Sequence, residues 1–127
     1  MSKFENFIGG AWVSGTDVAT NINPSDTGDV VGEFARGTVA DVDKAVTAAQ
    51  AALPGWSAST PTTRHDALRK IGAEVLARSE ALGRELSREQ GKTLAEGIGE
   101  AVRAGQLFEF YAGEALRQEG LKMVLSR

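Results

Sequence analysis

The sequence predicts an α+β chain, with N-terminal β-hairpins followed by three main helices, and three observations carry that expectation. Up to residue 37 the apolar residues come in short runs separated by glycine, proline and asparagine, the punctuation of strands and turns. From residue 38 they recur every three to four positions, the period of a helix face. A hydroxyl residue followed three positions later by an acid stands where two of the helical runs open.

Phe7-Ile8 and Ala11-Trp12-Val13 flank Gly9-Gly10, a two-residue loop with the backbone freedom a tight hairpin requires. A second pair, Val18 to Ile22 and Val30 to Ala35, is joined by Asn23-Pro24-Ser25-Asp26-Thr27-Gly28-Asp29. That connection is rich in turn formers, and its proline has no N–H to give a ladder. Isolated hairpins are marginal in water, so these strands are expected to rest on something else. Thr38 with Asp41 opens the first helix; Val42, Val46, Ala49 and Leu53 form its stripe, and Pro54-Gly55 is expected to stop it. Ser59 or Thr60 caps the second, with Pro61 in its first turn, where a missing N–H costs nothing. Leu68, Ile71, Val75 and Leu76 are its apolar residues. A break or re-cap near Ser79 leads to Leu82 and Leu86, and Gly91 ends the run. Thr93 with Glu96 is a capping box for the third helix, which carries Leu94, Ile98, Ala101, Leu107, Phe108 and Tyr111 and is expected to end near Gly120. The tail, 121–127, has no clear period. The organisation expected is therefore a hairpin region over 1–37, a helical part over 38–120, and an unassigned tail.

Composition excludes several classes. With 42% hydrophobic and 24% charged residues the chain can bury a modest core and is not compositionally disordered. A net charge of -3, with lysines and arginines scattered, gives no clustered basic face for nucleic acid. Residues 1–6 lack a long apolar run, so neither a signal peptide nor a membrane span is expected, and a cytoplasmic location is. The cysteine count is 0, which removes disulfides and thiolate metal sites. The third helix is apolar around much of its circumference near Leu107 to Tyr111. Such a helix is normally buried inside a larger body, so self-association of the chain is expected.

Particular words then resemble a known family. Asn6-Phe7-Ile8-Gly9-Gly10-Ala11-Trp12-Val13, Asn23-Pro24-Ser25-Asp26-Thr27-Gly28 and Asp41-Val42-Asp43-Lys44-Ala45-Val46 look like the opening of NAD(P)-dependent aldehyde dehydrogenases. Trp56, Arg64, Leu68, Glu89-Gln90-Gly91-Lys92 and Tyr111-Ala112-Gly113-Glu114 continue the likeness in family order. Within the family, the stretch from Gly99 through Glu100, Arg103 and Gly105 to Gln106 is similar to the branch that oxidises 2-oxoglutarate semialdehyde (2,5-dioxopentanoate), with succinate-semialdehyde enzymes as near relatives.

The resemblance implies that these residues are the leading strands and helices of a Rossmann-type cofactor-binding domain, the catalytic domain being absent. It implies a mechanism in which a cysteine thiolate adds to the aldehyde, hydride passes to NAD or NADP, and a glutamate-activated water hydrolyses the thioester. A backbone N–H and an asparagine amide would stabilise the oxyanion. None of those groups falls in the matched words, so the chain alone is expected to be a catalytically inert front piece that binds no cofactor. The alternative is a non-enzymatic, self-associating α+β module derived from the same family. The tail 121–127 departs from the family's usual continuation, where a proline-containing strand segment is expected, which raises truncation, a frameshift or a cloning boundary as explanations.

The resemblance also implies site residues. Arg103 matches a position on the third helix that lines the aldehyde tunnel, where a guanidinium can hold a distal carboxylate through two parallel hydrogen bonds. Gln106 and Phe110, three and seven residues on, share its face. The plainer reading pairs Arg103 with Glu100 or Glu96 as a solvated ion pair, and makes Phe110 a core aromatic. Glu89, with the main-chain carbonyl of Ile22, matches a monovalent-cation position, although two oxygens make an incomplete site and a surface carboxylate is the plainer reading. His65, the single histidine, reads as solvated. Gly9-Gly10 and Gly91-Lys92 read as turn and cap, because neither has the context of a phosphate cradle.

Overall fold

The computed structural model describes residues 3–117. In chain order these form β1 (Lys3–Phe4), β2 (Asn6–Ile8), β3 (Ala11–Val13), β4 (Val18–Ile22), β5 (Val30–Ala35), α1 (Val39–Ser57), α2 (Pro61–Ala77), α3 (Ser79–Gln90) and α4 (Leu94–Ala115). They group into two compact units. One comprises the described residues up to 57 together with 88–91; the other comprises 58–87 and the described residues from 92 onward.

In the first unit both expected hairpins form. β2 and β3 pair antiparallel with Phe7 opposite Trp12, and the two rings meet at 5.0 Å. Gly9 and Gly10 have φ of 60° and 87°, so both loop residues occupy the left-handed region that a type I′ turn demands. β4 and β5 pair antiparallel with a bulge at Asn21/Ile22. β1, which periodicity did not reveal, adds in parallel to the other side of β5 and gives the order β1-β5-β4. Two residues are too few to show an alternation. Their anchor is Phe4 stacked on Phe34 at 4.7 Å.

α1 opens as expected: the Thr38 N–H and hydroxyl donate to the Asp41 carboxylate at 2.9 and 2.8 Å, and the Asp41 N–H donates to the Thr38 hydroxyl at 3.2 Å. Its end corrects the expectation, because the helix passes through Pro54-Gly55 to Ser57. Proline's φ is already helical, and it forfeits only its own N–H bond one turn from the end. Gly55 stays out of the left-handed region, and the Ser57 hydroxyl donates to the Pro54 carbonyl at 3.1 Å. No residue of α1 is buried; Val42, Val46 and Leu53 are all exposed.

In the second unit Thr60 caps α2, accepting from the Thr63 N–H at 3.2 Å, with Pro61 in the first helical position. The second helical run breaks at Arg78, so the described residues hold four helices rather than three main ones, divided next to Ser79 as the sequence suggested. Thr93 and Glu96 complete the capping box of α4. α4 ends at Ala115 instead of near Gly120, which lies, with 121–127, outside the described residues. Its last turn tightens, as the Leu116 N–H turns to the Gly113 carbonyl at 3.2 Å and the Arg117 N–H to Glu114 at 3.0 Å.

The packing of this unit also corrects the expected stripes. On α4 the buried line is Gly97, Ala101, Gly105 and Ala112, whereas Leu94, Leu107 and Tyr111 are exposed, as is Ile71 on α2. Gly72 of α2 and Gly83 of α3 are the buried residues of those helices. A methyl group at Gly83 would lie 2.5 Å from Ile98 Cα; one at Gly97, 2.3 Å from the Gly83 carbonyl oxygen; one at Gly105, 2.6 Å from Leu76 Cγ. Main chains approach closely where Gly83 meets Gly97 and Ile98 and where Gly72 meets Gly105, while the Leu76 side chain packs against Gly105. Ala101 and Ala112, at 6% and 1% exposure, are the buried apolar residues with a side chain among those described.

Candidate functional site

Burying the small residues of α4 turns its other side outward. At about 100° per residue, Arg103, Gln106 and Phe110 fall on one stripe opposite Gly97, Ala101, Gly105 and Ala112. All three are exposed. Phe110 is therefore not the core aromatic of the plainer reading: it is 59% exposed, and its ring meets Tyr111 edge-on at 5.3 Å.

The plainer partners of Arg103 are engaged elsewhere. The Glu96 carboxylate accepts from the Thr93 hydroxyl at 2.7 Å and the Thr93 N–H at 3.1 Å, bonds that hold its pKa below the ordinary carboxylate value. Glu100 is hydrogen-bonded and ion-paired to Lys92. Among the described residues, no ion pair joins Arg103 to a carboxylate. Chemically this is an exposed guanidinium, flanked on its stripe by an amide and an aromatic ring.

A second constellation lies in the first unit. Arg88 clasps the Asp29 carboxylate through Nε at 3.0 Å and Nη2 at 2.8 Å, and Asn23 Nδ2 adds a third bond at 3.2 Å. The hydrogen bond from Arg88, then that from Asn23, lowers the Asp29 pKa. The Ser25 N–H donates to Asn23 Oδ1 at 2.9 Å, and the Ser25 hydroxyl to the Gly91 carbonyl at 2.7 Å. Gly91 has φ 70°, and a methyl there would meet Pro24 and Ser25 at 2.7 Å, so glycine is required twice over. Within this clamp Glu89 accepts from Asn21 Nδ2 at 2.9 Å, one residue from Ile22. Among the described residues, no three histidine, cysteine, aspartate or glutamate side chains converge.

Sequence reasoning missed the Arg88–Asp29 pair, whose members stand 59 positions apart. It also misplaced His65. That ring is half-buried, and its Nδ1–H donates to the Ala112 carbonyl at 2.9 Å, joining α2 to the last turn of α4.

The described residues do not fit a dinucleotide. Gly91-Lys92-Thr93 precedes a helix but follows α3 rather than a strand. The first turn of α4 is closed by its own capping box, and Lys92 is held by Glu100. Gly9-Gly10 belongs to the hairpin turn.

Comparison with known proteins identifies the lineage. The profile of the aldehyde dehydrogenase family matches residues 12–127. The alpha-ketoglutaric semialdehyde dehydrogenase of Bacillus subtilis is 38% identical over 122 residues, 94% of this chain and 25% of that protein. The glutarate-semialdehyde dehydrogenase of Pseudomonas aeruginosa is 34% identical over 121 residues, again 94% and 25%. The crystal structure of an NAD-dependent aldehyde dehydrogenase from Sinorhizobium meliloti superimposes with a TM-score of 0.89 at 30% identity, covering 94% of this chain and 24% of that one. The chain thus spans about a quarter of the length of the relatives it matches. With the sequence match and the superposition in agreement, the chain belongs to the aldehyde dehydrogenase family, corresponding to an N-terminal segment of that fold.

Proposed function

We propose that this chain is the leading segment of an NAD(P)-dependent dehydrogenase that oxidises a carboxylate-bearing semialdehyde, 2-oxoglutarate semialdehyde being the preferred candidate. Arg103 holds the distal carboxylate, with Gln106 and Phe110 beside it on the outward stripe of α4. The observation that carries this reading is the free guanidinium: both acids that would have neutralised Arg103 are engaged with Thr93 and Lys92. The two curated relatives named above are named for semialdehydes whose other end is a carboxylate, which supports the same chemistry.

In this reading the oxidant is NAD or NADP, held by residues other than these, and the nucleophilic thiol lies outside a sequence whose cysteine count is 0. The chain alone is inert. Mixing it with NAD(P) and a semialdehyde should give no reduced-nicotinamide absorbance above a protein-free control, and a sustained signal would overturn inertness. Glu89 and the Ile22 carbonyl supply two oxygens of a monovalent-cation site, and the location is cytoplasmic.

The substrate reading is tested by Arg103→Met in an active aldehyde dehydrogenase that carries this segment. KM for a carboxylate-bearing semialdehyde should rise at least ~10-fold, about 1.4 kcal/mol, with little change for a neutral aldehyde. Equal effects on both substrates would sink the carboxylate-reading role.

A second reading, a self-associating module without catalysis, is favoured by the exposed apolar residues of α1 and α4, among them Val39, Leu53, Leu107 and Tyr111. Sedimentation as a discrete oligomer with one sharp unfolding transition would support it; dye-binding, non-cooperative behaviour would support the severed segment.

A further inference from the structure

We infer that Lys92 is a positioning residue for the outward stripe of α4: by holding Glu100 it keeps Arg103 available to a substrate carboxylate. The inference rests on the reading of Arg103 given above and extends it to a residue outside the stripe.

A helical residue meets its neighbours three and four positions away, so those that can reach Arg103 along α4 are Gly99, Glu100, Gln106 and Leu107. Glu100 is the charged member of that set. A glutamate three residues before an arginine is within ion-pair reach of it, yet the Glu100 carboxylate is turned toward Lys92. Lys92 is well placed to win that competition. It lies just before the N-cap of α4, and its side chain is 19% exposed whereas that of Glu100 is 56% exposed. The lysine stem is therefore packed and its ammonium restrained, and a restrained partner loses less side-chain entropy on pairing than the free arm of Arg103 would. Glu96, the other acid on that side, is fixed by Thr93. Lys92 thus withdraws the one competing anion within a turn of Arg103.

The test follows the Arg103 Nε–H resonance in the ¹⁵N-labelled chain, assigned with Arg103→Lys, for wild type, Lys92→Met and the double variant Lys92→Met/Glu100→Gln. Glutarate is the unreactive carboxylate probe, titrated at constant ionic strength. In Lys92→Met the freed Glu100 should move the Arg103 resonance and weaken the apparent Kd for glutarate about two- to threefold, the scale of an exposed helix ion pair. The double variant, with lysine and glutamate charges both removed, should restore the wild-type resonance and Kd. A Lys92→Met resonance that superimposes on wild type overturns the inference, as does a shift that persists in the double variant. A wild-type resonance indifferent to glutarate while Lys92→Met still moves it supports the hold on Glu100 and overturns the carboxylate-binding reading of Arg103 instead.

Discussion

The two units of this chain cohere by opposite means. The first, built of strands, α1 and the end of α3, is tied by directional polar contacts: Arg88 on Asp29, Asn23 on Asp29, Ser25 on Gly91, Asn21 on Glu89. The second is held by proximity, with glycines of α2, α3 and α4 bringing helix backbones against each other. Among the described residues, neither has the large buried side chains on which a domain of this length normally rests. A unit bound by charge and hydrogen bonds answers to pH and to charge-removing substitution. A unit bound by backbone contact answers to volume.

The largest effect should come from adding volume. Gly83→Ala places a methyl 2.5 Å from the backbone of Ile98, and no rotamer change relieves a clash with main chain. It should destabilise the second unit by about 1–3 kcal/mol, read from denaturant unfolding. Next is His65→Phe, which keeps the ring's bulk but removes the bond to the Ala112 carbonyl. A loss of about 1 kcal/mol is expected, with faster amide exchange concentrated in the last turn of α4. Gly113→Ala is the opposite control. Nothing lies within 4 Å of its would-be methyl, so it should stabilise by ~0.5–1 kcal/mol through helix propensity alone. Destabilisation there would show that α4 is crowded on its outward side too.

The smallest and most local effect is acid loosening of the first unit. Asp29 has a folded pKa below its ordinary value because Arg88, then Asn23, favour the carboxylate. Its contribution to stability is present above about pH 4 and is lost as pH falls through the lower folded pKa. The Asp41 cap, lowered chiefly by the Thr38 N–H, fades with the same sign. Amide exchange across 23–29 should quicken over that acid range in wild type and be quick and pH-insensitive, after correction for intrinsic rates, in Asp29→Asn.

Much of the architecture was legible because it is local. Gly9-Gly10 prescribes its turn, and Thr38, Thr60 and Thr93 announce three of the helices by chemistry confined to four residues. What stayed hidden depends on partners far along the chain. β1 is a strand only because β5 lies beside it. The inward face of α4 was misread because a search for large apolar residues overlooks glycine, whose contribution is the closeness it permits. Pro54-Gly55 predicts a stop, but its position near the helix end makes the proline tolerable. At the candidate site, Arg103, Gln106 and Phe110 could be aligned on one stripe from spacing alone, but not that Lys92 had drawn Glu100 away.

The near-contact of the α3 and α4 main chains at Gly83 and Gly97 has a mechanical consequence. A leucine-filled seam can yield by rotamer changes, so a helix seated on one drifts more readily; a helix seated on another's main chain has no such freedom and keeps a fixed stand-off. Whatever Arg103 reaches for, its reach is therefore calibrated from behind, where Gly97 sits against the Gly83 carbonyl. A single methyl on that hidden side would re-aim the visible one without altering any residue that meets the ligand.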